Sequence, residues 1–71
     1  MKALSGKAVC KLLERHGWRL DRVNGSHHVY VKPGQPNTIP VPVHGNRSLK
    51  RGTLHGILKR AGLTEADVAT T

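Results

Sequence analysis

An Asn-Gly dipeptide at residues 24–25 separates two stretches in which apolar and polar residues alternate. A two-residue type I′ turn needs positive φ at both central positions, and Asn-Gly meets that requirement with little strain. The sequence therefore predicts a β-hairpin with strands at residues 18–23 and 26–32. A chain built around this hairpin must contain an antiparallel sheet.

The length of the turn predicts which residues face each other across the hairpin. A loop made of residues 24–25 gives these pairs: Val23 with Ser26, Arg22 with His27, Asp21 with His28, Leu20 with Val29, and Trp18 with Val31. Paired residues share a face. We therefore expect one apolar face, made of Trp18, Leu20, Val29 and Val31, with Arg22 and His27 at its end. The other, more polar face is expected to hold Arg19, Asp21, His28 and Tyr30.

Helical spacing of apolar residues predicts a helix before the hairpin and another near the C-terminus. Ser5 is a suitable N-cap for the first helix, and Gly17 suits its left-handed C-terminal position. The second helix is expected to begin somewhere in residues 48–53 and to end at Gly62. Thr64, followed by acidic residues, predicts a short third helix.

A third strand is predicted at residues 38–43, where Pro40 and Pro42 alternate with apolar residues. The two missing N–H groups lie on one side of this strand, so only its other side can pair, and we expect an edge strand. Residues 1–71 then form a single α+β domain in the order α-β-β-β-α with a short C-terminal helix. The helices cover one face of a three-stranded antiparallel sheet.

The composition favours contact with a polyanion. Twelve Lys and Arg residues against four Asp and Glu give a formal charge of +8, which suits contacts with the phosphates of RNA. The lone Cys10 excludes an intramolecular disulfide, and no apolar run approaches the length of about 20 residues that spans a membrane. We expect a cytoplasmic protein that does not bind membranes.

His27 is the candidate for acid–base chemistry. RNA can be cleaved without a metal when a base with a pKa of about 6.5 takes the proton of the ribose 2′-hydroxyl and a cation holds the phosphate. In the predicted register Arg22 lies beside His27, where its charge disfavours the imidazolium form and its donors can bind phosphate. The alternative is that His27 only closes the end of the core.

The neighbouring His28 points to the opposite face and is expected to pair with Asp21, with an auxiliary substrate contact as the alternative. His44, just after the third strand, either approaches the outer end of the second strand or lies in a loop. The acidic residues are too scattered for a metal nuclease, so we expect neither a metal nor a cofactor.

Three cations crowd the expected start of the second helix: Arg47, Lys50 and Arg51. A helix N-terminus disfavours cations but binds anions, so a phosphate bound there would relieve the conflict. The alternative is a solvated basic surface without a specific ligand.

Several segments in order resemble the HicA toxins of prokaryotic toxin–antitoxin modules. They are Leu12-Leu13-Glu14, Gly17-Trp18, Gly25-Ser26-His27-His28, Val41-Pro42-Val43-His44, Gly52-Thr53-Leu54, Ile57-Leu58-Lys59 and Ala61-Gly62-Leu63. The tail from Thr64 to Thr71 lies outside this pattern.

The resemblance implies a fold like that of double-stranded-RNA-binding domains and a metal-independent endoribonuclease that cleaves mRNA. It implies that His27 is the catalytic residue and that Gly25 shapes the turn presenting it. It also implies a HicB-type antitoxin that covers the site. Residues expected to contact RNA are Arg22, Gly25, Ser26, His28, His44, Arg47, Lys50 and Arg51.

Two other functions remain open. A non-catalytic RNA-binding module could use the same fold, reading the shape and 2′-hydroxyls of RNA, and would need no histidine at the hairpin. A basic subunit could instead serve only to dock on an acidic partner protein.

Overall fold

A computed structural model describes residues 2–70, which form three helices and one sheet. The elements are α1 (Gly6–Arg15), β1 (Arg19–Asn24), β2 (His27–Val31), β3 (Ile39–Pro42), α2 (Arg51–Ala61) and α3 (Glu65–Ala69). The strands are antiparallel in the order β1-β2-β3. This confirms the predicted α+β class and its α-β-β-β-α order. None of the helices in the described part is long and apolar enough to cross a membrane.

Three helix boundaries lie where capping chemistry predicts them. The Ser5 hydroxyl accepts a hydrogen bond from the Ala8 N–H at 3.2 Å, which caps α1. Gly62 ends α2 with a left-handed φ of 72°. Thr64 and Asp67 form a reciprocal capping box that starts α3, so the predicted third helix is confirmed.

The core lies between the helices and one face of the sheet. Its fully buried side chains include Leu12 and Leu13 from α1, Leu54 from α2, and Ile39 and Val41 from β3. A second set adds Trp18, Tyr30 and Val68. The Tyr30 hydroxyl donates a hydrogen bond of 2.8 Å to the Glu14 carboxylate, which joins β2 to α1. Burial, and then hydrogen bonding with Cys10 and Glu14, raise the pKa of Tyr30 and keep the phenol neutral.

The hairpin register differs from the prediction. Asn24 pairs with His27, so residues 25–26 form the turn. Gly25 has a φ of 62°, and no residue other than glycine has positive φ in the described part of the chain. Positive φ at the first central position alone is the pattern of a type II′ turn. Arg22 therefore lies opposite Val29, and the predicted pair of Arg22 with His27 is wrong.

A bulge changes the faces of β1. The register shifts between Leu20 and Arg22, which leaves Asp21 as an extra residue, and Leu20 pairs with Tyr30. Tyr30 faces the core while Leu20 is 46% exposed at its rim. The predicted apolar face is therefore wrong, because the helices cover the side of β2 that carries His28 and Tyr30. Trp18 is buried as predicted, but it precedes β1, and Val31 pairs with Arg19.

Strand β3 is an edge strand, as predicted. Pro42 lies opposite His27 and Pro40 opposite Val29. The first residue of α1 packs directly on this strand, because a Cβ on Gly6 would overlap the carbonyl oxygen of Pro42. No pattern in the sequence marks this close approach, which only glycine allows.

Candidate functional site

His27 is the first residue of β2 and follows directly on the turn. Side chains alternate between the two faces of a strand, and the next residue, His28, shares the helix-covered face with Tyr30. The His27 ring therefore lies on the open face of the sheet, and it is exposed. An imidazole in this position can meet a large substrate without any rearrangement of the core.

A shallow depression of about 320 Å³ surrounds His27 on this open face. Its lining residues come from all three strands and the loop before β3: Arg22, Asn24, His27, Val29, Thr38 and Pro40. Arg22 is a diagonal neighbour of His27, because it lies opposite Val29, two residues further along β2. Long side chains reach across such a diagonal. The predicted meeting of Arg22 and His27 on one face is therefore confirmed, although by a different pairing.

Arg22 is partly engaged by its neighbour. Its Nη1 lies 2.7 Å from the Asp21 carboxylate, and both side chains remain about half exposed. A guanidinium carries five N–H donors, so this contact leaves donors for a phosphate. The carboxylate also offsets part of the positive charge near His27. Asp21 is thus held by Arg22, and its predicted pairing with His28 is wrong.

A second, larger depression of about 630 Å³ lies at the end of β3. It is lined by Pro42, His44, Arg47, Ser48, Leu49, Lys50 and Thr53. We call the exposed side chains of His44, Arg47 and Lys50 the basic cluster. The structure brings these three predicted residues together, whereas Arg51 lines a separate depression beside Lys2 and Leu54.

The loop that carries the basic cluster is held at both ends. Ser48 forms an isolated β-bridge with Ser5, and the Leu49 N–H donates to the Leu4 carbonyl at 2.8 Å. At the other end, the Val43 N–H donates to the Ser26 carbonyl at 2.8 Å. Ser26 therefore contributes through its backbone, by tying the hairpin turn to the strand that leads into the basic cluster.

Pro42 connects the two depressions. It lies opposite His27 in the sheet and also lines the depression of the basic cluster. The helix α2 begins next to it with Lys50 as N-cap, without a side-chain cap hydrogen bond and without an acidic residue in its first turn. The N-terminal dipole of α2 therefore adds to the positive potential around the basic cluster.

His28 is separated from this surface. It is half-buried and lies opposite Val23 and Val41, on the side of the sheet that the helices cover. The predicted difference in face between His27 and His28 is confirmed. A single phosphate on the open face cannot contact both rings.

Other reactive side chains lie elsewhere. Glu14 accepts the Tyr30 hydrogen bond, and Asp67 caps α3. Burial raises the pKa of Cys10, which keeps the thiol protonated. Within residues 2–70 no three His, Cys, Asp or Glu side chains gather in a group able to hold a metal ion.

Three residues of the His27 depression were missed by sequence reasoning. Asn24 was expected in the turn but lies in β1 opposite His27. Thr38 and Pro40 reach the site through the pairing of β3 with β2, which the sequence predicted only as an edge contact. The spacing of the two prolines was the available signal, since it puts both on the face of His27.

Comparison with known proteins adds an independent finding. A protein-family model described as the HicA toxin of bacterial toxin-antitoxin matches residues 6–63 of the 71-residue chain. A search of curated proteins found no match. The family match covers α1, the whole sheet and α2, and it ends just before α3, as the resemblance in the sequence predicted. The chain therefore belongs to the HicA family of toxins of bacterial toxin–antitoxin systems.

Proposed function

We propose that this toxin is a metal-independent endoribonuclease that cleaves mRNA in the cytoplasm, with His27 as the general base. One observation carries the proposal. The His27 imidazole is exposed on the open face of the sheet and shares a depression with the Arg22 guanidinium. This combination supplies a base and a phosphate ligand at one place, which is the minimum that RNA cleavage by the 2′-hydroxyl needs.

The reaction follows from these two groups. His27 takes the proton of a ribose 2′-hydroxyl, and the resulting oxygen attacks the adjacent phosphorus. The bond between phosphorus and the 5′-oxygen of the next nucleotide breaks, and that oxygen takes a proton from solvent. The products are a 2′,3′-cyclic phosphate and a 5′-hydroxyl. Arg22 donates to the phosphate oxygens as negative charge builds up in the transition state.

The basic cluster extends the proposed substrate surface. His44, Arg47 and Lys50 bind phosphates of the same RNA strand beyond the cleaved bond, and Pro42 forms the surface between the two depressions. Gly25 gives the turn its positive φ and so sets the start of β2. We leave His28 and Arg51 out of this surface, because one lies on the covered face and the other lines a separate depression.

Family membership gives this toxin an antitoxin partner. We propose that the partner is of the HicB type and that it inhibits the toxin by covering the His27 depression. A depression this shallow and open is accessible to a protein surface as well as to RNA.

The test is cleavage of a defined mRNA in EDTA by the intact chain and by His27→Ala, with His55→Ala as the matched control. His55 is an exposed histidine on α2, away from both depressions. We expect His27→Ala to lose about 10²-fold or more of the cleavage rate, the usual contribution of a general base, and His55→Ala to keep it.

RNA binding measured on the same proteins separates the alternatives. Retained RNA binding by His27→Ala shows that its loss of cleavage is chemical. Undiminished cleavage by His27→Ala would remove His27 from the mechanism. RNA binding without cleavage by the intact chain would favour a non-catalytic RNA-binding module.

A further inference from the structure

The two edges of the sheet differ in what they offer another strand. On the β3 edge, Pro40 and Pro42 lack the N–H groups that a new strand would need. The β1 edge contains no proline, and all six of its residues are exposed. The bulge at Asp21 interrupts this edge, but on either side of the bulge the strand still presents backbone groups with which another strand can pair.

The β1 edge also carries exposed apolar side chains. Leu20 and Val23 are 46% and 54% exposed, and among residues 2–70 they are the exposed large hydrophobic residues. The bulge at Asp21 puts both on one face, since Leu20 pairs with Tyr30 and Val23 with His28. This is the helix-covered side of the sheet, but β1 extends beyond the helices. The two side chains therefore form an apolar ledge next to the core.

The opposite face of the same strand is cationic. Arg19 lies opposite Val31 and Arg22 opposite Val29, so both guanidiniums belong to the open face that carries His27. Along β1 the apolar ledge and the two arginines thus alternate from one face to the other. A strand added to this edge would need apolar residues on one face and carboxylates on the other.

The backbone is available for such a strand. Asn24 and His27 flank a two-residue turn, where the flanking pair exchanges its backbone hydrogen bonds. By alternation, the N–H and C=O of Val23 point away from β2. They therefore face outward along the edge, beside the ledge that Val23 forms with Leu20.

We propose that the edge of β1 is the docking site of the antitoxin, which adds an extended segment there as a fourth strand. The segment alternates apolar residues, which pack on Leu20 and Val23, with acidic residues, which pair with Arg19 and Arg22. Its carboxylates occupy the Arg22 donors that RNA would use. Docking at an edge thereby disables the neighbouring open face.

Charge selects this occupant over a second copy of the chain. Pairing two β1 edges would bring four guanidiniums together between molecules that each carry a formal charge of +8. Like charges that face each other across a strand pair are destabilising. The carboxylates of an acidic partner attract Arg19 and Arg22, whereas the guanidiniums of a second copy repel them.

The experiment uses the full chain carrying His27→Ala, in complex with the antitoxin of the same toxin–antitoxin module. Its outcome does not depend on ribonuclease activity, so it stands or falls separately from the proposed reaction. Hydrogen–deuterium exchange is compared between the free chain and the complex. We expect the Leu20 and Val23 amides to exchange rapidly in the free chain and to be protected in the complex.

Variants test the side chains. Leu20→Lys and Val23→Lys should each weaken antitoxin binding by about tenfold or more, because each puts a charge into the apolar contact. Arg19→Glu should weaken binding, whereas Lys59→Glu on α2, which reverses the same charge at an exposed position elsewhere, should not. Far-UV circular dichroism of each variant establishes that it is folded.

Three results would overturn the proposal. The first is protection by the antitoxin confined to residues 27–29 and 42–50. The second is unchanged affinity of folded Leu20→Lys and Val23→Lys. The third is a dimer of the free chain that Val23→Lys dissociates, which would assign the edge to a second copy.

Discussion

The two faces of the sheet show how one short strand serves two purposes. Tyr30 and His28 of β2 point toward the helices, and Tyr30 is 2% exposed there. His27, from the same strand, points to the open face and is exposed. The covered face is closed by side chains from every helix, whereas the His27 depression is shallow and built from residues of the strands and of the loop before β3. Alternation along β2 therefore lets stability and the proposed chemistry be changed separately.

The largest expected effect is on the covered face. Leu13 is 0% exposed in the core, so Leu13→Ala should lower the free energy of unfolding by about 2–5 kcal/mol. Leu20→Ala, on the rim, should change it by less than about 1 kcal/mol. Urea unfolding of both variants measures the difference. Equal losses would contradict the view that the two faces contribute differently to stability.

The next effect concerns the open face and catalysis. Arg22→Gln should slow cleavage by about tenfold or more, the value of a charge-assisted hydrogen bond to phosphate, with little change in the urea midpoint. Arg15→Gln on α1 removes an equivalent exposed charge from another surface and should leave the rate unchanged. If both variants slow cleavage equally, Arg22 acts only through the net charge.

A smaller effect separates packing from hydrogen bonding on the covered face. Tyr30→Phe keeps the ring but removes the hydroxyl that donates to Glu14. We expect a loss of about 0.5–1.5 kcal/mol in the free energy of unfolding and no change in the cleavage rate of the folded protein. A fall in the cleavage rate would contradict the separation of the two faces, because it would show that the Tyr30 hydroxyl on the covered face affects cleavage.

The basic cluster should affect binding more than chemistry. Arg47→Gln and Lys50→Gln should each reduce the salt dependence of RNA affinity by about one phosphate contact, while the cleavage rate of bound RNA is kept. Fluorescence anisotropy over a range of salt concentrations measures the slope. An unchanged slope in both variants would restrict the RNA surface to the His27 depression.

The smallest effect is a pH dependence in α3, which packs Val68 into the covered face. The Thr64 N–H and hydroxyl, and then His16, lower the pKa of Asp67. A folded pKa below the unfolded one stabilises the fold above about pH 4 and ceases to do so as the pH falls through the folded pKa. The intact chain should therefore have a higher free energy of unfolding than Asp67→Asn near neutral pH, and urea unfolding at several pH values should show this difference disappear in acid. An advantage that persists in acid would contradict this cap.

Local chemistry predicted most of the fold. Ser5, Gly62 and the two prolines of β3 mark their elements because capping and missing N–H groups act over a few residues. The hairpin register was wrong because residues 24–25 and 25–26 are both acceptable two-residue turns. The real turn displaces the partners of Arg22 and Val23 by two residues, which preserves their faces, so Arg22 and His27 still share a face.

The remaining errors come from long-range contacts. The bulge at Asp21 moves Leu20 to the other face, and no local pattern marks it. Ile39 and Val41 of β3 pair with Tyr30 and His28. Because both apolar side chains are buried, the helices cover this face of the sheet. His27 was identified by its place after the turn and by family resemblance, whereas Thr38 and Pro40 needed the assembled sheet.

The chemical ends of the RNA products test the central claim most directly. Mass spectrometry of a short RNA incubated with the intact chain in EDTA should reveal 2′,3′-cyclic phosphate and 5′-hydroxyl ends, and His27→Ala should produce neither at a comparable rate. Products that carry 5′-phosphate ends, or the same cyclic products from His27→Ala at an undiminished rate, would contradict a histidine base on the open face of this sheet.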